Sequence, residues 1–91
     1  MTRAEILDEA KKCVCEDRES QYGSPEDSFE LIADFWSSYL DYAISADDVA
    51  MMMTLLKIAR IAGGRFKADS YIDACGYIAC AGEIAGKGGK E

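Results

Sequence analysis

The sequence predicts an all-α protein, a compact domain of four helices. Apolar residues recur at helical spacing along the whole chain, and no stretch alternates with the period of a strand. Helix-start grammar, a small hydroxyl residue followed by acids, occurs at Thr2, Ser24 and Ser45. Glycines fall where the apolar patterns stop, at Gly63-Gly64 and at Gly86.

The first helix spans about residues 3–17. Thr2 caps it, Glu5 completes a capping box, and Ile6, Leu7, Ala10, Cys13 and Val14 form its apolar stripe. A polar connection follows, Arg18 to Gly23. Ser24 caps the second helix, residues 25–42, with Pro25 in the first turn and Glu26 and Asp27 at the positive end of the dipole. Its inner face carries Phe29, Ile32, Ala33, Trp36, Tyr39 and Leu40, which favours a core place for Trp36 and Tyr39, with stacking on a base as the alternative for either ring. Ser45 caps the third helix, residues 46–62, and acids fill its first turn. This helix is apolar nearly all round, through Val49, Met51, Met52, Met53, Leu55, Leu56, Ile58 and Ile61. One short chain cannot cover such a helix, so the expectation is a homo-oligomer with the surplus face in a subunit interface. The fourth helix spans residues 68–85, and its Ala74, Gly76, Ala79, Ala81 and Gly82 permit close packing. Residues 1–86 then form the domain and residues 87–91 a frayed tail.

Bulk properties exclude several functions. A domain of 91 residues buries only about 60–65 % of its unfolded surface, and association is a common source of extra stability. The chain holds 10 Lys+Arg against 17 Asp+Glu, a net charge of −7, which argues against duplex nucleic acid as a partner. No apolar run is long enough to span a membrane, and the start of the chain reads as helix rather than signal peptide, so a cytoplasmic protein is expected. Histidine is absent, which removes the commonest general base and metal ligand. Cys13, Cys15, Cys75 and Cys80 lack zinc-ribbon spacing and read as reduced thiols that act as small core hydrophobes. No metal and no cofactor is expected.

Against this acidic background stands a basic island. From Val49 to Ala68 there is no carboxylate, and the stretch holds Lys57, Arg60, Arg65 and Lys67 around Gly63-Gly64 and Phe66. Such a local field suits a phosphorylated small ligand. Cations in a last helical turn also simply offset the dipole. Asp69 and Asp73 follow on one helical face, then Tyr77. The two aspartates can bind a cation, read ribose or base donors, or pair with Lys57 and Arg60. A second candidate element is the connection before the second helix, where Arg18, Gln21, Tyr22 and Ser24 offer donors, a ring and a helix start. It also reads as an ordinary capped loop.

These residues resemble a small phage-encoded family of unknown function. The resemblance rests on Asp17-Arg18, Gln21-Tyr22-Gly23-Ser24-Pro25-Glu26-Asp27, Trp36, Asp48-Val49-Ala50-Met51-Met52, Leu56-Lys57-Ile58-Ala59-Arg60, Phe66-Lys67, Tyr71-Ile72-Asp73 and Gly76-Tyr77. The family is in turn similar to MazG-type nucleoside triphosphate pyrophosphohydrolases, which implies a helical, oligomeric fold. Those enzymes hold Mg²⁺ on paired E-x-x-E and E-x-x-D carboxylates. At the first of these positions this chain reads Met51-Met52-Met53-Thr54-Leu55-Leu56-Lys57, without a carboxylate. Only Asp69 and Asp73 stand at a half-site, with the wrong spacing.

Cations where metal would sit suggest direct pairing with phosphates. The reading is therefore a phage anti-defence protein that binds a nucleotide immune second messenger, a cyclic dinucleotide such as cGAMP or a cyclic ADP-ribose derivative, and does not cleave it. Lys57, Arg60, Arg65 and Lys67 would neutralise phosphates. Tyr22, Phe66 or Tyr77 would stack on bases, and Asp69 or Asp73 would read polar edges. The protein would act in the cytoplasm of an infected bacterium. Two other functions remain open: a Mg²⁺-dependent pyrophosphohydrolase using Asp69, Asp73 and Glu26 or Glu30, and a helical adaptor that binds a host protein.

Overall fold

The computed structural model describes residues 1–17 and 25–87. They form four α-helices: α1 (Arg3–Lys12), α2 (Pro25–Leu40), α3 (Ala46–Gly63) and α4 (Ala68–Lys87). The all-α expectation holds, and no strand occurs among the described residues. Residues 88–91 of the expected tail, and the connection 18–24, lie outside the described residues.

Helix starts follow the cap chemistry. The Thr2 backbone N–H donates to Glu5 Oε1 at 2.7 Å, and Glu5 N–H donates to Thr2 Oγ1 at 3.1 Å. Ser45 and Asp48 make the same reciprocal pair at 3.0 and 3.4 Å. Helix ends depart from expectation. The first helix does not continue to residue 17 as α; it becomes a π turn over Cys13–Asp17. The second stops at Leu40, not at residue 42, because Asp41 enters the left-handed region at φ 52°. Tyr42 N–H then donates back to the Ser37 carbonyl at 3.2 Å, which completes a Schellman-type end.

α3 and α4 run antiparallel, with Lys57 beside Asp73 and Met51 sharing a shallow groove with Ile78. α2 packs mainly on α3, and α1 on α4. The core lies where α2, α3 and α4 meet, at Phe29, Ala33, Val49, Ala50, Cys80 and Ala81. Trp36 packs against it, as expected. Tyr39 does not: it is 89 % exposed, and Leu40 is exposed beside it. These two sit in the last turn of α2, beyond the reach of the other helices' core residues. Cys80 is buried as a small apolar residue, but Cys15 is exposed, and none of the four cysteines forms a disulfide. Gly76 and Ala81 supply close packing on α4, whereas Ala79 and Gly82 face outward. The one buried polar side chain among the described residues is Thr54, whose hydroxyl donates to the Ala50 carbonyl at 2.9 Å.

Candidate functional site

The basic island folds into a groove at the α3–α4 connection. α3 ends at the glycine pair, and Gly64 leaves it with extended backbone, φ −133° and ψ −173°. A Cβ on Gly64 would lie 3.1 Å from the Arg60 carbonyl oxygen, so glycine lets the chain turn away tightly against the last helical carbonyls. Arg65, Phe66 and Lys67 then lead into α4, where Ser70 N–H donates to the Lys67 carbonyl at 3.2 Å.

The groove has a volume of about 580 Å³ and is lined by Leu56, Ala59, Arg60, Gly63, Gly64, Arg65, Lys67 and Ser70. Three cations and a hydroxyl therefore converge beside a small apolar wall, and no carboxylate lines the space. Arg60, Arg65 and Lys67 are exposed, so their heads are free to reorient toward a ligand. Ser70 stands in the first turn of α4, which brings the positive end of that helix dipole to the same place. The chemistry of this set is anion binding by charge-assisted hydrogen bonds.

The other predicted residues go elsewhere. Lys57 Nζ pairs with Asp73 Oδ2 at 3.0 Å, linking α3 to α4, and the lysine side chain is mostly covered. This is the internal pairing among the alternatives open to Asp73. Asp69 is exposed in the first turn of α4 and does not line the groove. Phe66 is 76 % exposed and packs on Tyr71 with ring centroids 5.7 Å apart. Tyr77 is half-buried and lies 6.1 Å from the Phe29 ring, against the core. Arg18, Gln21, Tyr22 and Ser24 lie outside the described residues.

The carboxylates of the hydrolase alternative are dispersed. Glu26 pairs with Lys87 at 3.3 Å, Asp73 with Lys57, and Glu30 lines a different groove with Asp34 and Asp47. No group of three His, Cys, Asp or Glu side chains is placed to hold a metal ion among the described residues. Sequence reasoning missed Ser70, Leu56 and Ala59 as groove residues. For Ser70 the signal was its place in the first turn after Lys67; for the other two no signal separates a groove wall from core.

Comparison with known proteins places this arrangement in a family. Residues 5–85 match a family model described as a domain of unknown function, DUF6378. The chain belongs to that family. The DUF6378 match takes in all of α2 and α3, the groove and nearly all of α4. The chain is similar to the Gene 55 protein of Mycobacterium phage D29, 42 % identical over 79 residues, covering 87 % of this chain and 52 % of that protein. It is also similar to the Gene 55 protein of Mycobacterium phage L5, 36 % identical over 73 residues, covering 79 % of this chain and 47 % of that protein. The chain thus spans about half the length of these relatives. The expected phage origin of the family agrees with both. No solved structure matches the chain. Among the described residues no helix is long and apolar enough to cross a membrane.

Proposed function

We propose that the α3–α4 groove holds the phosphates of a small nucleotide, and that the protein sequesters this nucleotide without cleaving it. One observation carries the reading: Arg60, Arg65 and Lys67 converge with Ser70 on a carboxylate-free groove of about 580 Å³. Ligand pockets of about 300–1,000 Å³ are the usual size for such molecules. Phe66 and Tyr71 supply a ring surface next to the groove in sequence, suited to stacking on a base. Lys57 is engaged by Asp73, so it joins α3 to α4 and phosphate binding falls to Arg60, Arg65 and Lys67. A cyclic dinucleotide or cyclic ADP-ribose derivative, the class of signal used in antiphage immunity, is the proposed ligand, and the infected host's cytoplasm the place of action. On this reading the likeness to MazG-type hydrolases is one of architecture, with cations standing where those enzymes hold metal. The working form is a homo-oligomer, because α3 leaves a broad apolar face exposed.

Calorimetric titration of the full chain with cyclic dinucleotides, cyclic ADP-ribose isomers and common nucleoside triphosphates, with and without Mg²⁺, tests this. Binding that survives EDTA, with the ligand recovered intact by chromatography, is the expected result. Arg60→Ala or Arg65→Ala should each weaken it by about 10- to 100-fold, the worth of a charge-assisted hydrogen bond of about 1.5–3 kcal/mol. Mg²⁺-dependent cleavage products would replace sequestration with hydrolysis. No heat with any nucleotide would move the function to a protein partner.

A further inference from the structure

Helix α3 keeps an apolar face that the described residues leave about half exposed. Met51, Met52, Leu55, Leu56 and Ile58 are between 40 % and 55 % exposed. At 3.6 residues per turn these five, with Asp48, Ala59, Ala62 and Gly63, occupy an arc of about 160°. Beyond Asp48 every residue on the arc is apolar.

The face is graded along its length in two ways. Its N-terminal half is bulky, with Met51, Met52 and Leu55, and past Leu56 and Ile58 at its middle it ends in small residues, Ala59, Ala62 and Gly63. Charge runs the same way. Asp48 stands on the arc at its N-terminal end, and Arg65 follows the glycine pair at its C-terminal end. A face with both gradients is complementary to itself when turned end for end.

We propose that the occupant of this face is a second copy of the chain, its α3 laid antiparallel on this α3 about a two-fold axis near Leu55 and Leu56. Asp48 and Gly63 lie equally far from that midpoint, about 11 Å along the helix axis. The partner's Asp48 therefore comes level with Gly63, beside Arg65. Met52 comes level with the partner's Ala59, and Met51 lies within about 3 Å along the axis of the partner's Ala62, a fit that flexible thioether side chains make readily. Opposed helix dipoles add to the pairing. An isologous contact of this kind closes on itself and stops at two copies. It also completes the groove, because the partner's Met52 stands along the wall formed by Leu56, Ala59 and Gly63. Arg60 lies about 140° round the helix from Leu55 and, with Ser70, stays outside the contact. The inference deepens the oligomer proposed above; in the dimer the partner's Asp48 engages Arg65, and Arg60 and Lys67 remain for an anion in the groove.

Sedimentation equilibrium of the full chain without nucleotide is the test. The expected result is a dimer whose dissociation constant rises at least tenfold in Leu55→Glu, with the circular dichroism of the fold unchanged because Leu55 is already exposed in one copy. Asp48→Lys and Arg65→Glu should each weaken the dimer, and the double exchange should restore it. Asp48 also belongs to the α3 capping box, but a folding defect from its loss would not be repaired by Arg65→Glu. A chain that stays monomeric at all concentrations overturns the proposal, and so does a dimer indifferent to Leu55→Glu. Charge reversals without mutual rescue overturn the antiparallel arrangement. Since no nucleotide is present, a groove that binds nothing leaves every one of these outcomes readable.

Discussion

Gly76 and Gly82 sit on the same helix and should respond oppositely to the same substitution. A Cβ at Gly76 would lie 2.8 Å from Val14 Cγ1, while nothing stands within 4 Å of one at Gly82. Alanine is the better helix former by about 0.5–1 kcal/mol, so Gly82→Ala should stabilise by that amount. Gly76→Ala should destabilise by about 1–3 kcal/mol, the usual cost of overpacking, because Val14 is carried on the π turn that docks against α4. Urea unfolding of the two variants checks this, and a gain at both positions would mean that Val14 moves aside freely. Asp41 is a second residue with a defined strain. It holds φ 52°, and Asp41→Gly should relieve up to about 1–2 kcal/mol of left-handed penalty, less the entropy glycine gains in the unfolded chain. Glu5 carries a pH signature. The Thr2 backbone N–H, and then the Thr2 hydroxyl, hold its carboxyl below the ordinary value. A depressed folded value means that the cap stabilises α1 above the ordinary carboxylate range and loses that support as pH falls through the depressed one. The protection of the Glu5 amide, its exchange rate taken relative to the intrinsic rate at each pH, should accordingly fall on acidification, and equal protection above and below that range would remove the cap's role.

At the level of elements, side chains that join helices matter more than the helices' own propensities. Ser37 is the clearest case. Its hydroxyl accepts from Ile44 N–H at 2.9 Å and donates to the Ile44 carbonyl at 3.2 Å, which fixes the path from α2 into α3. Ser37→Ala leaves both backbone groups short of a partner in a half-buried place and should cost about 1–3 kcal/mol, read as a lower thermal midpoint with helix content retained. A midpoint equal to the wild type would show that water replaces the hydroxyl. The contrast between starts and ends explains what the sequence made legible. Thr2 and Ser45 act through residues three positions away, so their caps are visible in sequence. The end of α2 depends on Asp41 adopting a conformation that most aspartates avoid, and the π turn depends on where Val14 meets Gly76, a tertiary contact. The groove follows the same division. Arg60, Arg65 and Lys67 were legible as a cluster because they lie close in sequence. Ser70 was legible only as a first-turn residue after Lys67, and Leu56 shares a face with Arg60 one turn on, where nothing in the sequence separates a groove wall from core; the folding back of α3 on α4 is what pairs Lys57 with Asp73.

Across the whole molecule the charge balance and the apolar faces predict three different responses to salt. The chain carries −7, and the ion pairs that join its helices include Lys57–Asp73 and Lys87–Glu26. Lys87–Glu26 is an exposed pair worth about 0–1 kcal/mol and Lys57–Asp73 is half-covered, so net self-repulsion outweighs the two. Raising NaCl from about 0.01 to 1 M shortens the screening length from about 30 to 3 Å, so the thermal midpoint of the free protein should rise. Anion binding in the groove rests on Arg60, Arg65 and Lys67 and should weaken over the same range, because the same screening removes its attraction. Self-association through Met51, Met52, Leu55 and Leu56 rests on apolar burial, which salt does not screen, and should hold or strengthen. The three curves are separable in one preparation by scanning calorimetry, titration and sedimentation. A midpoint that falls with salt would mean that attractive pairs dominate the fold. A groove affinity that does not change would mean that its ligand is recognised by shape and stacking rather than by charge. A dimer that dissociates with salt would mean that the pairing of Asp48 with Arg65, and not the methionine and leucine face, supplies most of its affinity.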